Sequence, residues 1–494
     1  MARQLRLHTP DLTITPSMSL SLPPGRADAC SGPLSNTDTP SGAATGEKPR
    51  RIYIDCTSTY LTGLNTGIQR VVRGLVGREH LLTNAINVPC LPVIALQGRY
   101  WPFSQAEQAV MHTVLQNTGS ARKSGRDLFV RFEQNIRTFA RRLHLPEPMV
   151  NVGLTAARRL ATLLFWRIQA SPPLRALRQH KVRPIAAQPG DLLFIPDAFW
   201  GEHGQLPAIE QFARRGGAVV PVIHDVAPLS HPDYFPAPNV RAFHEGLTRI
   251  LAVTCGILAV SRATMADAAT YCAALGYDHL PMDYAYSGAD LAPPSSVADT
   301  VRPEIAARCA ERPFLMVGTI EPRKGYKTAL TAYEQYQRSG GRRPLVIAGR
   351  LGWKEGDIVA QLRAVAASTQ MVFSYHEATD SELAALYAHA GALIFASFYE
   401  GFGLPLVEAM HLGLPVIASD IPVFREIGQD YPTYFQVGDA TDLCRALQAH
   451  DEALWARKAP RAWPTWDEAA PAYLEKAISL YANRRLGGVG RLQR

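Results

Sequence analysis

The sequence has 494 residues, more than one hydrophobic core usually holds, and its length predicts two or three domains. Hydrophobic residues make up 47% and charged residues 19%, as in soluble globular proteins, and no apolar run predicts a membrane-spanning helix. The net charge of +8 only weakly favours anionic ligands or surfaces. Seven scattered cysteines without a C-x-x-C pair argue against a disulfide framework and a structural zinc site, and they favour a reducing cytoplasm.

The N-terminal segment differs in composition from the rest of the chain. Residues 1–50 are rich in Ser, Thr, Pro and Gly and lack a continuous apolar stretch, so we expect a disordered tail without a signal peptide. The folded part is expected to begin at "RIYIDC", an apolar run that predicts a strand. A loop with Gly63 and Gly67 follows, and then a helix that opens near Ile68. This order of strand, loop and helix is typical of α/β proteins.

Strand-then-helix units recur in both halves of the chain. In the first half, "DLLFIPDAF", "GAVVPVIHD" and "GILAVSRATMADAA" predict buried strands, and Ser261 is the expected N-cap of the helix after the third. A Pro- and Ser-rich stretch before residue 301 predicts a linker. After it, "PFLMVGTI", "PLVIAG", "MVFSY", "ALIFAS" and "PVIAS" alternate with helices. We therefore predict an α/β fold with two Rossmann-like, doubly wound domains, 51–300 and 301–480, that face a central cleft.

The alternation breaks between residues 104 and 188. Residues 122–183 carry fourteen Arg or Lys and three acidic residues, an excess of eleven positive charges that is larger than the +8 of the whole chain. We interpret 104–188 as a basic helical insertion in the first domain. Its amphipathic segments are typical of helices at an anionic membrane surface, although such helices also pack on a domain with their arginines in solvent. No nucleic-acid motif accompanies the charge. A basic tail, 481–494, follows the second domain.

The segment "FYEGFGLPLVEAMHLGLPVIASD" places Glu400 and Glu408 on either side of a glycine-rich turn. Gly401 and Gly403 allow a tight turn, Pro405 suits the first turn of a helix, and a helix N-terminus binds anions. Carboxylates beside an anion site are expected to bind sugar or ribose hydroxyls. The alternative is an ordinary turn before a helix whose Glu408 is solvated.

Two further motifs lie at the ends of predicted strands. In "VGTIEPRKGYKTAL", the cations Arg323, Lys324 and Lys327 follow a strand, and adjacent cations suit a diphosphate. A solvated basic loop is the alternative. In "VVPVIHDVAPL", His224 and Asp225 end a strand that should face the cleft. A histidine that caps a loop through a backbone hydrogen bond is the alternative there.

Together and in this order, these motifs resemble the retaining GT-B glycosyltransferases of family four (glycosyl transferases group 1). The family includes many bacterial mannosyl- and rhamnosyltransferases of surface polysaccharide assembly. "FASFYEGFGLPLVEAMHLGLPVIASD" is similar to its Glu-x7-Glu motif, "VGTIEPRKG" to its diphosphate loop and "SELAALYAHAGALI" to the segment before the motif. "GLNTGIQRVVRGL" and "HDVAPLSHPDYF" look like first-domain motifs of the polysaccharide branch. The resemblance covers roughly 51–100 and 189–480, and the basic insertion has no counterpart.

The resemblance implies a role for each matching position. Glu400 and His224 would contact the donor hexose, as catalytic residues, and Glu408 would bind the ribose. Arg323 and Lys324 would hold the diphosphate, together with a second group of donor-binding residues: Gly401, Phe402, Gly403, Leu404 and Gly67. Related enzymes carry an Arg where this chain has Thr319, which leaves more of the diphosphate to Arg323.

The resemblance also implies an activity. The 301–480 domain would bind a nucleoside diphosphate hexose, with GDP-mannose as the first expectation, and the 51–300 domain a glycan or lipid-linked glycan acceptor. Transfer would proceed with retention in polysaccharide or lipopolysaccharide synthesis, in the cytoplasm or peripherally at the inner face of the cell membrane. The sequence has no Asp-x-Asp motif, and the nearest pattern, Asp380-x-Glu382, reads as a helix start, so we expect neither a metal nor a cofactor.

Two alternative functions are also compatible with the sequence. A sugar-nucleotide 2-epimerase shares the fold but would need acid–base residues in place of the Glu-x7-Glu pattern. A nucleotide-sugar-binding subunit without catalytic activity is the other, and Thr319 is the one hint for it.

Overall fold

The computed structural model describes residues 48–63, 66–103, 182–201, 204–290, 301–453 and 457–484. The predicted tail 1–50 and the basic insertion 104–188 lie outside the described residues except at their margins, and so do residues 485–494 of the basic tail. The proposed membrane surface of the insertion therefore stays a prediction. The boundary predicted at residue 300 also stays a prediction, because residues 291–300 are not described.

The first sheet is built by the described residues before 285. Its strands are β1 (Arg51–Asp55), β2 (Cys90–Leu96), β3 (Arg99–Pro102), β4 (Asp191–Ile195), β5 (Ala218–Ile223), β6 (Ile257–Ala259) and β7 (Met282–Tyr284). They lie in the order β3-β2-β1-β4-β5-β6-β7, parallel except for the β2–β3 pair. The helices, numbered over the described residues, are α1 (Thr57–Thr62), α2 (Gly67–Val76), α3 (Glu79–Ile86), α4 (Gln205–Arg214), α5 (Ala227–Ser230), α6 (Ala237–Leu251) and α7 (Arg262–Ala274).

The second sheet is parallel throughout. Its strands are β8 (Phe314–Val317), β9 (Leu345–Ala348), β10 (Val372–Tyr375), β11 (Ala392–Phe395), β12 (Val416–Ser419) and β13 (Thr433–Phe435). They lie in the order β10-β9-β8-β11-β12-β13. The helices are α8 (Pro303–Ala310), α9 (Tyr326–Arg338), α10 (Gly356–Thr369), α11 (Asp380–His389), α12 (Leu404–His411), α13 (Pro422–Gly428), α14 (Ala440–Glu452) and α15 (Trp466–Asn483). Among the described helices, none is both long enough and apolar enough to cross a bilayer.

The composition of the strands explains why both sheets are covered by helices on both faces. All residues of β4, β9, β11 and β12 are buried, and apart from Asp191 and Ser419 at the strand ends these residues form continuous apolar runs. Such runs are typical of parallel strands between two helical layers. The predicted pair of doubly wound sheets is confirmed. The last helix, α15, packs on the first sheet, where Gly74 of α2 leaves room for the indole ring of Trp466.

One predicted loop contains a helix instead. The segment after β1, "TSTYLT", is poor in strong helix formers, yet it forms α1. Tertiary hydrogen bonds stabilise it: the Thr57 amide donates to Asp55 (2.8 Å), and the Thr59 amide donates to Asp197 (2.7 Å). Gly63 then ends α1 with a φ of 64°. The sequence pattern missed the helix because its stabilising partner, Asp197, lies far along the chain.

The strand order places the predicted site residues of the second sheet at its switch point, and His224 one strand away from the switch point of the first sheet. In the second sheet the order reverses between β8 and β11, and the loops after these strands carry Arg323 and Glu400. In the first sheet, β1 and β4 lie at the centre, and His224 follows the next strand, β5. Ligands of doubly wound sheets bind beyond the carboxyl ends of the strands at such points. The fold therefore brings distant motifs to one region.

Two buried acids lie at the carboxyl ends of the central strands of the first sheet. Asp55 ends β1 and accepts hydrogen bonds from Thr57 and Tyr100, while Asp197 follows β4 and accepts from the amides of Thr59 and Ala198. Both side chains are fully buried. Burial, and then the charge of Asp55, raise the pKa of Asp197 from 3.8 to about 7.

We expect Asp197 to make stability depend on pH. An acid with a higher pKa in the folded state stabilises the fold fully at low pH, and this contribution is lost as pH rises from about 4 to about 7. Asp197→Asn stays neutral and should gain up to about 4 kcal/mol relative to the wild type between pH 4 and 8. Unfolding followed by calorimetry across this range measures the difference.

The readout is how the free energy of unfolding changes with pH. Its absolute value is less informative, because the amide of the Asp197→Asn variant has one hydrogen-bond acceptor fewer than the Asp197 carboxyl group at every pH. Asp191→Asn, at the other end of β4, is the matched control. A difference between Asp197→Asn and wild type that is constant from pH 4 to 8 would contradict the assignment.

Candidate active site

A cation-bearing turn follows β8. Residues Pro322–Lys324 form a single 3₁₀ turn, which brings Arg323 and Lys324 next to each other. Gly325 ends the turn with a φ of 68°, and a Cβ atom there would overlap the carbonyl oxygen of Ala396, just after β11. Glycine is therefore required at this position, both for the backbone conformation and for the close approach of the two loops.

Glu400 lies at the centre of these cations. Its carboxylate accepts hydrogen bonds from Arg323 Nη1 (2.9 Å), Lys324 Nζ (2.5 Å) and Ser397 Oγ (2.7 Å), and its side chain is 8% exposed. Burial alone would raise the pKa of Glu400, but Lys324 and then Arg323 lower it to about 2. Glu400 is therefore an ionised hydrogen-bond acceptor at neutral pH and cannot serve there as a general acid.

The cluster contains a second acid that was not predicted from the sequence, Glu321. It is 1% exposed and accepts hydrogen bonds from Arg323 Nη2 (2.8 Å) and Nε (3.1 Å). The carbonyl of Tyr399 also accepts from Arg323 (3.0 Å), so this guanidinium is held by three protein groups. Two cations and two carboxylates thus balance in a buried site. The "EPRK" order, an acid before two cations in a turn, is the pattern from which Glu321 could have been predicted.

His224 follows β5, as predicted, and is buried. Its Nε2 lies 2.7 Å from the carbonyl oxygen of Pro196. A carbonyl only accepts, so Nε2 carries the hydrogen and Nδ1 is left as the acceptor of a neutral ring. Burial lowers the pKa of His224, which favours this neutral form. The backbone hydrogen bond expected of a loop-capping histidine, the alternative role of His224, is therefore present. It fixes the ring in one orientation.

The loop between Glu400 and α12 contacts the first sheet directly. The Gly401 carbonyl accepts hydrogen bonds from Ser261 Oγ (2.7 Å) and Thr264 Oγ1 (2.9 Å), and a Cβ atom at Gly401 would overlap the His224 carbonyl. Ser261 is the N-cap of α7, as predicted, and in addition holds this loop. Phe402 is buried. The predicted site residues His224 and Gly401 are thus brought together across the two sheets.

The second part of the predicted site lies one helix turn further on. Gly403 has a φ of 103° and precedes Leu404, the first residue of α12. Glu408 projects from this helix, is fully buried, and forms an ion pair with Arg70 of α2. A Cβ atom at Gly67 would lie 3.9 Å from Leu404. The solvated Glu408 of the alternative interpretation is wrong, because the side chain is covered by the first domain.

Other predicted residues have less direct roles. Lys327 is 55% exposed and pairs with Asp357 (3.2 Å), away from the Glu400 cluster. Thr319, which stands where related enzymes have Arg, packs against the backbone of Gly352. Asp380 and Glu382 lie in the first turn of α11, as predicted. Within the ranges that the structure describes, no group of three or more His, Cys, Asp or Glu side chains is arranged to hold a metal ion.

Further hydrogen bonds join the two sheets around the site. Glu426 of α13 accepts from the amides of Arg262 and Ala263 at the start of α7 (2.8 Å each). Tyr399 donates to Asp267 (2.7 Å). These contacts show that the loops at the carboxyl edges of the two sheets meet.

The close approach at Gly401 is expected to tolerate no side chain. Gly401→Ala would push its loop away from the His224 carbonyl and separate the two halves of the site. We expect turnover to fall by about ten- to a hundredfold, because a misplacement of about an ångström can cost as much as a hundredfold. Affinity for nucleotide should change little. Gly356→Ala is the matched control, since a Cβ atom there meets no atom within 4 Å. Full activity of Gly401→Ala would show that the loops need not meet.

The second half of the chain matches a known family. Residues 298–449 match the model of "Glycosyl transferases group 1". The chain is 34% identical over 280 residues to "Serotype-specific mannosyltransferase WbdA" of Escherichia coli, covering 54% of this chain and 34% of that protein. It is 31% identical over 236 residues to "O-antigen chain mannosyltransferase B" of Escherichia coli, covering 47% and 59%. The chain thus spans about a third of the length of the WbdA protein that it matches.

A solved structure agrees on the fold. The N-terminal domain of a trehalose-6-phosphate phosphatase from Candida albicans has a TM-score of 0.52 and 13% identity, over 89% of this chain and 98% of that domain. At this identity the likeness concerns architecture alone. The predicted α/β GT-B fold with two Rossmann-like sheets is confirmed. The part of the chain that forms the second sheet is thus similar to the glycosyl transferases group 1, whose model residues 298–449 match.

Proposed function

We propose that this protein transfers mannose from a nucleoside diphosphate donor to a glycan or lipid-linked glycan of a surface polysaccharide. GDP-mannose is the donor that we propose to test first. One observation carries the proposal. An ionised carboxylate, Glu400, lies between two cations at the switch point of the second sheet, on a loop that touches His224 of the first. This arrangement offers cations for a diphosphate and neutral or anionic acceptors for sugar hydroxyls within one site.

The relatives support the choice of sugar and pathway class. The two relatives described above are mannosyltransferases, and the name of one refers to the O-antigen chain. The matched 280 residues cover more than half of this chain. We therefore extend the mannose donor and the polysaccharide acceptor to this protein as part of the proposal.

Different residues of the site would bind different groups of the donor. Lys324 and Arg323, with the N-terminus of α12, would bind the diphosphate and stabilise the charge that it gains as it leaves. Glu400 would accept hydrogen bonds from hexose hydroxyls. The diphosphate must then share the cations with Glu400 and Glu321, which lie within 3.1 Å of them. The acids would keep the site neutral when no phosphate is bound.

His224 would act on the hexose from the opposite side. Its Nε2–H is fixed on Pro196, so Nδ1 is the ring atom that can accept a hydrogen bond from a sugar hydroxyl. The neutral ring avoids placing a positive charge beside the oxocarbenium-like reacting carbon. Retention of configuration and independence of metal ions are part of the proposal, with the leaving diphosphate itself helping to deprotonate the acceptor hydroxyl.

A direct assay tests the function. The full chain is incubated with GDP-mannose and a mannose-terminated lipid-linked acceptor, with EDTA or with magnesium, and the new linkage is assigned by NMR. We expect an α-linked mannose product with EDTA present. Epimerised nucleotide sugar would indicate a 2-epimerase instead, and donor binding without transfer or hydrolysis would indicate a non-catalytic subunit. A β-linkage would overturn retention.

Glu400 should matter for turnover more than for binding. Glu400→Gln keeps the shape of the side chain but removes its charge, so hydrogen bonds that strengthen as the hexose becomes cationic are weakened. We expect kcat to fall on the order of a hundredfold, because only interactions that strengthen in the transition state accelerate the reaction. Steady-state kinetics measure this. Glu334→Gln, on the outer face of α9, is the control, and unchanged kcat in Glu400→Gln would remove Glu400 from the chemistry.

The two cations should respond differently to substitution. Lys324→Ala is expected to weaken GDP binding by roughly ten- to a hundredfold with the fold intact, since one charge-assisted contact to phosphate is lost. Arg323→Ala should weaken binding too, but it also leaves Glu321 buried without its partner, which costs about 3–5 kcal/mol of stability. Titration calorimetry with GDP and thermal unfolding separate the two effects. Equal thermal stability of both variants would contradict this division.

A further inference from the structure

Glu408 is a fully buried carboxylate whose hydrogen-bonding capacity is only partly used by the protein. Neither of its oxygens accepts a well-aligned hydrogen bond from the described residues. The hydroxyl of Tyr387 lies beside it: burial first, the charge of Glu408 second, and a poorly aligned hydrogen bond to Glu408 third raise the pKa of Tyr387. The acceptor positions that Arg70 and Tyr387 leave open on this buried carboxylate suit a polar ligand.

The counter-ion of Glu408 comes from the other sheet. Arg70 of α2 forms the ion pair, with its side chain 30% exposed while that of Glu408 is 0% exposed. Arg70, which belongs to the first domain, thus helps to cover the carboxylate. Among the described residues, Arg70 is the cation that pairs with Glu408.

The pairing follows from the way two helices face each other. Gly67 and Arg70 are three residues apart on α2, and Leu404 and Glu408 are four apart on α12, so each pair lies on one face of its helix. Gly67 faces Leu404, and Arg70 faces Glu408 one turn further on. A capping box between Thr66 and Gln69 fixes where α2 begins, and therefore where Arg70 points.

We propose that Arg70 is a gate residue of the donor site, which binds Glu408 in alternation with the ribose of the donor nucleotide. The inference rests on the proposed donor site. Ribose hydroxyls are the donors that the open acceptor positions of Glu408 suit. With the carboxylate fully covered, they reach it only when the guanidinium moves aside. Ribose binding and the contact between α2 and α12 therefore exclude each other at Glu408.

The competition has a consequence that is specific to the ribose. Removal of Arg70 should make Glu408 more available and tighten the binding of a nucleoside diphosphate by about two- to fivefold, the factor that a partly exposed ion pair is worth. Inorganic pyrophosphate has no ribose, so its affinity should not change. A residue that simply bound phosphate would have the opposite effect, and on both ligands.

The test uses the full chain and titration calorimetry with ADP, GDP, UDP and inorganic pyrophosphate. The variants are Arg70→Gln and Arg70→Ala, with Arg73→Gln on the same helix as the matched control and Glu408→Gln as the reference for loss of the ribose contact. We expect tighter nucleotide binding with unchanged pyrophosphate binding in both Arg70 variants. Hydrogen exchange of the α12 amides should also become faster in them, because the helix contact is weakened, and should be unchanged in Arg73→Gln.

Each other outcome overturns a defined claim. Weaker binding of nucleotide and pyrophosphate by the Arg70 variants would make Arg70 a phosphate ligand and refute the gate. Unchanged ligand binding and unchanged hydrogen exchange would make the Arg70–Glu408 pair structurally neutral and would refute the gate as well. Failure of all three nucleotides to bind the wild type would also refute it. Preference for ADP or UDP over GDP would overturn the proposed donor and leave the gate standing.

Discussion

Glu400 keeps its negative charge inside the protein because two cations lie within hydrogen-bond distance of it. Those cations are held in turn by a second buried acid, Glu321, and by the Tyr399 carbonyl. The cluster fixes the loop after β8 against the loop after β11, and the second of these loops carries Gly401 to the His224 carbonyl. The contact between the sheets therefore depends on a balanced set of charges rather than on apolar packing alone.

The balance also sets what the site can recognise. A cluster of cations alone would hold any phosphate, whereas here a phosphate must compete with carboxylates for the same donors. A ligand that brings both a diphosphate and hydroxyl groups satisfies the cations and the acids together. A nucleoside diphosphate sugar has this composition. For the proposed donor site, discrimination against free phosphate would arise from the acids, which by themselves oppose anion binding.

The sequence predicted the fold because parallel strands buried on both faces leave continuous apolar runs, such as those of β9 and β11. It also located Arg323, Lys324 and Glu400, since their motifs lie directly after such strands. It missed α1, whose helix depends on Asp197, and Arg70, whose partner is more than 300 residues away in the chain. Contacts between sheets leave no periodic pattern in the sequence, so only the structure reveals them.

The packing of α15 has a consequence for the order in which the protein folds during synthesis. This helix follows the second sheet in the chain but packs on the first, where its buried residues include Trp466, Tyr473 and Leu474. The strands β5, β6 and β7 are made by residue 284, yet they gain this helical cover only after some 200 further residues have left the ribosome. The apolar surface beneath α15 must stay exposed, or be held by a chaperone, for that interval.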